Sequence, residues 1–210
     1  MKKLLFSLLL LSPLAGALSS CREQSKIPEP SVESVPLILP EINPAKSYFA
    51  YAASRNSVNT AASTNTPRPV FEFVVNPSQG YAELQTVEVY KCFRRGINPP
   101  VFGPRVKVAD LTSFPATVSI NSQDALTDLY LSSPTTANPT PTSIKASPQS
   151  PSQANRILNN GDAVVFTFEY VMKDGRRIVL TPLSTADGSV GVPTGNQIFA
   201  PYAAVAEFRL

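Results

Sequence analysis

The sequence predicts an all-β protein, an antiparallel β-sandwich with one short helix and one long flexible loop. Three observations carry this. From Val70 onward apolar residues recur at period two, turn signals break the chain at short intervals, and only one segment has helical spacing. About 160 residues of such short strands suit two packed sheets.

Taken in order, Pro36–Pro40 (PLILP) is too apolar for a spacer and is expected to lie against the domain as an edge strand. Ser47 to Ala53 is a further strand candidate, and residues 54–66 are polar and turn-rich. Phe71, Phe73 and Val75 alternate with Glu72 and Val74, the pattern of a half-buried strand. In Thr86 to Phe93 the valines Val87 and Val89 face inward, which puts Tyr90 and Cys92 on the opposite face. Val106 and Val108 mark the next strand, and Val118 and Ile120 another after the break at Pro115. Ser122 to Leu129 fits a two-turn helix with Ser122 as N-cap and Ala125, Leu126 and Leu129 on one side.

Asp162 to Met172 carries the clearest signal. Val164, Phe166, Phe168, Tyr170 and Met172 share one face, with Thr167 and Glu169 on the other, which predicts the central strand of the core. Asp174-Gly175 then predicts a two-residue hairpin turn, with Ile178 and Leu180 on the return strand. Asn196 to Leu210 reads as one or two strands around Pro201. Residues 132–153 differ from all this. They hold ten Ser or Thr, five Pro and one large apolar residue, Ile144, and are expected to form a disordered insertion, since so little surface can be buried there.

The N-terminus supplies an address. Lys2 and Lys3 precede the apolar run Leu4 to Leu11, which is too short to span a bilayer as a mature helix and reads as an export signal. Its end, Leu18-Ser19-Ser20-Cys21, resembles the lipobox of bacterial lipoproteins. The resemblance implies a signal peptide over 1–20, lipid attachment at Cys21 and a membrane anchor at ~0.8 kcal/mol per buried CH₂. The rival reading is an ordinary secretory signal with a chance cysteine. Residues 21–46 then form a proline-rich tether, which at ~3.1 Å per residue could lift the 47–210 domain by up to ~75 Å.

Composition excludes several function classes. With Lys2 and Lys3 removed, 16 basic residues face 15 acidic ones, which gives no basic excess for nucleic acid. A lipidated Cys21 leaves Cys92 as the one thiol, so no intramolecular disulfide is expected and Cys92 reads as a small core residue. The chain has no histidine, which removes most triads and metal sites, and no tryptophan for a sugar platform. Asp124 and Asp128, at i and i+4, read as a solvated helix face rather than a catalytic pair, and Asp162 as turn chemistry. No calcium-type run occurs, and the sequence predicts no enzyme, cofactor or metal.

Two features point to binding. Arg94-Arg95 and Arg176-Arg177 follow strands, and at one end of a sandwich their four guanidinium groups would clamp an acidic sugar, phosphate or carboxylate. Solvated hairpin ends explain the same arginines without a ligand. Tyr48, Phe49 and Tyr51 offer rings for a sugar, or packing for an edge strand.

With its lipobox, proline-rich tether and sandwich, the chain resembles surface or periplasmic lipoproteins of Bacteroidota with an immunoglobulin-like or fibronectin-III-like domain. Thr86-Val87-Glu88-Val89-Tyr90, Asn160-Gly161-Asp162 and the Asp174-Gly175-Arg176 turn look like those domains. The resemblance implies an outer-membrane lipoprotein, on the cell surface or the periplasmic face, accompanying nutrient uptake of the starch-utilisation type. Arg22, where an aspartate would follow the cysteine, favours the outer membrane by analogy with enteric sorting. The expected function is a non-enzymatic binding or accessory module for a glycan, peptide or transporter. The alternative is a structural or adhesive envelope protein making only protein–protein contacts.

Overall fold

The computed structural model describes residues 36–54, 68–78, 83–132, 143–144, 158–184 and 192–210, all within the compact unit Val35–Leu210. The export signal, Cys21, the first part of the tether and most of 132–153 lie outside the described residues.

The protein is mostly β. The first half of the chain supplies β1 (Glu41–Ile42), β2 (Phe49–Ala50), β3 (Val70–Val75), the long β4 (Leu84–Arg95), β5 (Val101–Phe102), β6 (Val106–Leu111) and β7 (Ala116–Asn121). The second half supplies β8 (Ala163–Met172), β9 (Arg177–Val179), β10 (Leu183–Ser184), β11 (Val192–Pro193) and β12 (Ala204–Arg209). The largest sheet runs β2-β12-β8-β4-β5, with β6 also on β4 and β9 also on β8. A second sheet runs β1-β3-β7, and β10 pairs with β11. All these pairs are antiparallel except β2 with β12, which run parallel, a departure from the antiparallel expectation. No helix among the described residues is long and apolar enough to cross a membrane.

The core sits where the predicted apolar faces meet. Phe71 and Phe73 of β3 reach the β8 rings Phe166 and Phe168, at centroid separations of 5.8 Å for Phe71–Phe166 and 5.2 Å for Phe73–Phe166. Phe49 of β2 stacks on Phe208 of β12 at 5.2 Å and extends the ladder. Each such pair adds about 0.5–1.5 kcal/mol beyond its buried area. Because β8 pairs with β4 from Ala163 to Met172, its five-residue stripe meets Val87, Val89 and Phe93 on one face.

Several elements differ from the sequence reading. Ser47–Ala53 keeps only two strand residues before turning helical at 51–54. The helix is one turn, Ser122–Leu126, and its N-cap is Asn121, whose Oδ1 accepts from the N–H groups of Gln123 and Asp124 at 3.0 Å. Asparagine caps as well as serine does, so Ser122 moves inside. Asp128 has φ 61° and lies beyond the helix, so no i, i+4 carboxylate face forms with Asp124.

The hairpin after β8 holds three residues, Lys173 to Gly175, rather than two. Only Gly175 takes positive φ (87°), and Met172 and Arg176 close the loop. That is a type I turn with a left-handed third residue. Pro36–Pro40 lies against the domain as expected but not as a strand, and residues 41–46, assigned to the tether, join the fold as well. Ile38 is buried, Leu37 and Ser78 exchange two hydrogen bonds, and β1 pairs with β3.

Within the insertion, the described residues Ser143 and Ile144 are held to the fold. Ile144 is fully buried and its N–H donates to the Leu129 carbonyl at 2.8 Å, while Tyr130 bridges Ser143. A side chain at Gly103 would strike the Tyr130 carbonyl, so glycine is what allows that approach.

Candidate functional site

The arginines do not converge. Arg94 lies opposite Ala163 at one end of β8 and Arg177 opposite Val171 near the other. Eight residues of strand separate the two positions by roughly 26 Å. Each pair also has its own carboxylates. Arg94 is buried and meets Glu207 at 3.1 Å, while Arg95 meets Asp162 at 3.0 Å and stands 5.6 Å from the Phe93 ring. Asp162 takes an N–H from Asn159 as well, so turn chemistry and an ion pair together account for it. Arg176 pairs with Asp174, and Arg177 reaches Glu88 and Glu169.

The aromatic group divides too. Phe49 is core, and the Tyr51 hydroxyl donates to the Leu158 carbonyl at 3.0 Å. Tyr48 leaves its ring exposed, 5.8 Å from the Arg209 guanidinium.

The arrangement that sequence reasoning missed is on the non-core face of the large sheet. Glu88 of β4 and Glu169 of β8 stand directly opposite each other in register, with Cβ atoms ~5 Å apart by strand geometry. Two like charges that close are destabilising unless cations are placed between them. Arg177 bridges both carboxylates, Arg105 pairs with Glu169, and Lys107 meets Glu88 at 2.8 Å. Tyr90 donates its hydroxyl to Glu88 at 2.8 Å and lays its ring 4.6 Å from the Arg105 guanidinium. Both glutamates were visible on the polar faces of their strands, but their pairing spans 81 positions of chain.

The Arg177 guanidinium, against the cost of burial and with Lys107 and Tyr90 adding to it, holds the Glu88 carboxyl down to about 2. A carboxyl so held is a poor general acid near neutral pH. The sign for stability follows from the lowered value. The contribution is complete above the ordinary glutamate value of about 4.3 and is lost as pH falls toward the folded value. The urea midpoint should therefore decline through this acid window, and Glu88→Gln should flatten the decline. An identical pH slope in the variant would show that Glu88 is not the group responsible.

On the same face, Cys92, Phe102, Val165, Ile198 and Ala203 form a second small core. Burial pushes the Cys92 thiol up to about 12, so almost no thiolate exists at pH 8. In a Cys21→Ser chain, alkylation by iodoacetamide should be about a thousandfold slower folded than in urea. Equal rates would place Cys92 in contact with solvent.

The open site lies at the edge of β8 away from β4, which β12 and β9 share. β12 pairs through Phe166↔Ala204, and β9 pairs through Tyr170↔Ile178. Continued by two residues, either register would bring its strand to Phe168, as Tyr202 from one side and Leu180 from the other. One strand edge cannot pair both, so the chains splay and leave a cleft of about 410 Å³. Phe168, Ile38 and Leu180 line it, with Leu37 and Tyr202, each nearly half exposed, at its mouth. Thr194 bonds twice to the Pro182 carbonyl, at 2.8 and 3.2 Å, and holds Asn196 and Gln197 beside Thr181. Among the described residues no charged side chain lines this cleft.

No family model matches the chain, and no curated protein or solved structure does either.

Proposed function

We propose that the chain is a membrane-anchored, non-enzymatic lipoprotein, held at the outer membrane through Cys21, that serves as a binding or accessory module of a nutrient-uptake system. Its two sheets, facing each other across the phenylalanine ladder, make an immunoglobulin-like sandwich in this reading. The observation that carries the binding function is the open cleft at the β8 edge, which no charged side chain among the described residues lines. Anchoring rests on Leu18-Ser19-Ser20-Cys21 behind the export signal. The lack of histidine and the saturated Glu88–Glu169 pair support a role without catalysis.

The second reading, a structural or adhesive envelope lipoprotein, draws support from the arginines, which are engaged by carboxylates of this same chain.

Mild cross-linking in membranes of the native host, followed by purification through a tag after Leu210, tests the choice. Co-purification of an outer-membrane transporter is the expected result, and recovery with structural envelope components alone would sink it. Labelling with an alkyne palmitate, lost in Cys21→Ser, tests the anchor separately.

A further inference from the structure

We propose that the cleft at the β8 edge binds a small uncharged molecule with an apolar ring or chain and one or two hydrogen-bonding groups, rather than a saccharide. The proposal rests on reading the chain as a binding module and names the ligand class of that module. A volume of about 410 Å³ falls in the ordinary range of small-molecule sites, roughly 300–1,000 Å³.

The class follows from how polarity is distributed. Leu37, Ile38, Phe168 and Leu180 offer no side-chain donor or acceptor, while Thr181, Asn196, Gln197 and Tyr202 offer only neutral ones. A sugar ring carries hydroxyls around its whole rim, so those set against the four apolar residues would lose water without gaining a partner. A charged ligand would meet no counter-ion among the described residues. A molecule with an apolar body and one polar edge leaves neither cost. Its body fills the space against Phe168 and Leu180, its polar group reaches the amides of Asn196 and Gln197, and the Tyr202 ring closes over it.

The test uses the full chain labelled with 3-fluorotyrosine, in nanodiscs of an uncharged lipid. The Tyr202 fluorine signal is identified by its loss in Tyr202→Phe, and Tyr48, equally exposed on another part of the surface, serves as the control. Cyclohexanol and benzyl alcohol should each shift the Tyr202 signal saturably with a Kd of about 1 mM, as expected for ligands of seven or eight heavy atoms, without a parallel shift at Tyr48. Benzoate, maltose and lactose should leave it in place. Leu37→Trp, which changes an exposed residue at the mouth, should weaken binding at least tenfold while the other fluorine signals keep their dispersion. A saturable shift with the disaccharides alone would overturn the ligand class yet leave the module reading standing. No saturable shift with any probe, an equal response to benzoate, or no effect of Leu37→Trp would overturn the site itself. The transporter experiment does not depend on these outcomes.

Discussion

Glu169→Leu is expected to cost ~3–5 kcal/mol, more than Arg105→Met, although the two side chains are partners and each is only 5 % exposed. The asymmetry comes from what each substitution leaves behind. Without Arg105, Glu169 keeps Arg177 at 3.0 Å. Without Glu169, the Arg105 guanidinium keeps, among the described residues, the Thr167 hydroxyl at 3.5 Å and the Tyr90 ring, and an arginine cannot shed its charge. Relief of repulsion with Glu88 returns part of this loss, but Glu88 is already neutralised by Arg177 and Lys107, so the stranded cation dominates. The double variant, Glu169→Leu with Arg105→Met, should recover most of the stability, because an apolar pair of similar volume carries no desolvation cost. Urea unfolding of the three variants checks this. In heat the single change should lower Tm by roughly 10 °C. A loss below ~1 kcal/mol for Glu169→Leu, or a double variant no better than the worse single one, would show that the pair is not a buried ion pair in solution.

That cluster also marks how far the sequence could be read. The inward faces were legible because burial on one side imposes period two, and Phe71, Phe73, Val87, Val89 and the β8 stripe all follow it. Glu88 and Glu169 were legible as outward residues, but not as partners, since register between β4 and β8 is set by the whole hydrophobic face and not by either residue. The same limit undid the arginine clamp. Whether Arg94-Arg95 and Arg176-Arg177 share an end depends on which strands pair, and here β4 ends with Arg94-Arg95 beside the start of β8 while the β8–β9 hairpin holds Arg176-Arg177 near its far end. Two-residue strands such as β1 and β2 are too short to show any period, so the parallel β2–β12 contact left no trace in the pattern. The cleft is a further step removed. It arises from two registers competing for Phe168, and neither register can be read locally.

Ile144 shows how composition can conceal a structural residue. Within 132–153 it is the one large apolar side chain, and the Ser, Thr and Pro around it predict a segment unable to offset its ordering entropy. One buried isoleucine offers ~1.5–3 kcal/mol of transfer, and its hydrogen bond to Leu129 adds about 1. Ordering Ser143 and Ile144 costs ~1–2 kcal/mol each, so the two sides nearly balance. What tips the balance is that Ile144 belongs to the same buried cluster as Leu126 and Leu129, so its side chain packs in the core rather than on its surface. Ile144→Ala is therefore expected to cost ~2 kcal/mol, at the low end of the 2–5 range for such truncations, since release of the segment caps the loss. Release has a signature that a mere cavity lacks. The amide of residue 144 should lose its protection from hydrogen exchange in the variant while amides of β8 keep theirs. Retained protection at residue 144 with a larger loss of stability would mean that the segment stays docked around a cavity, and that its order comes from contacts other than this side chain.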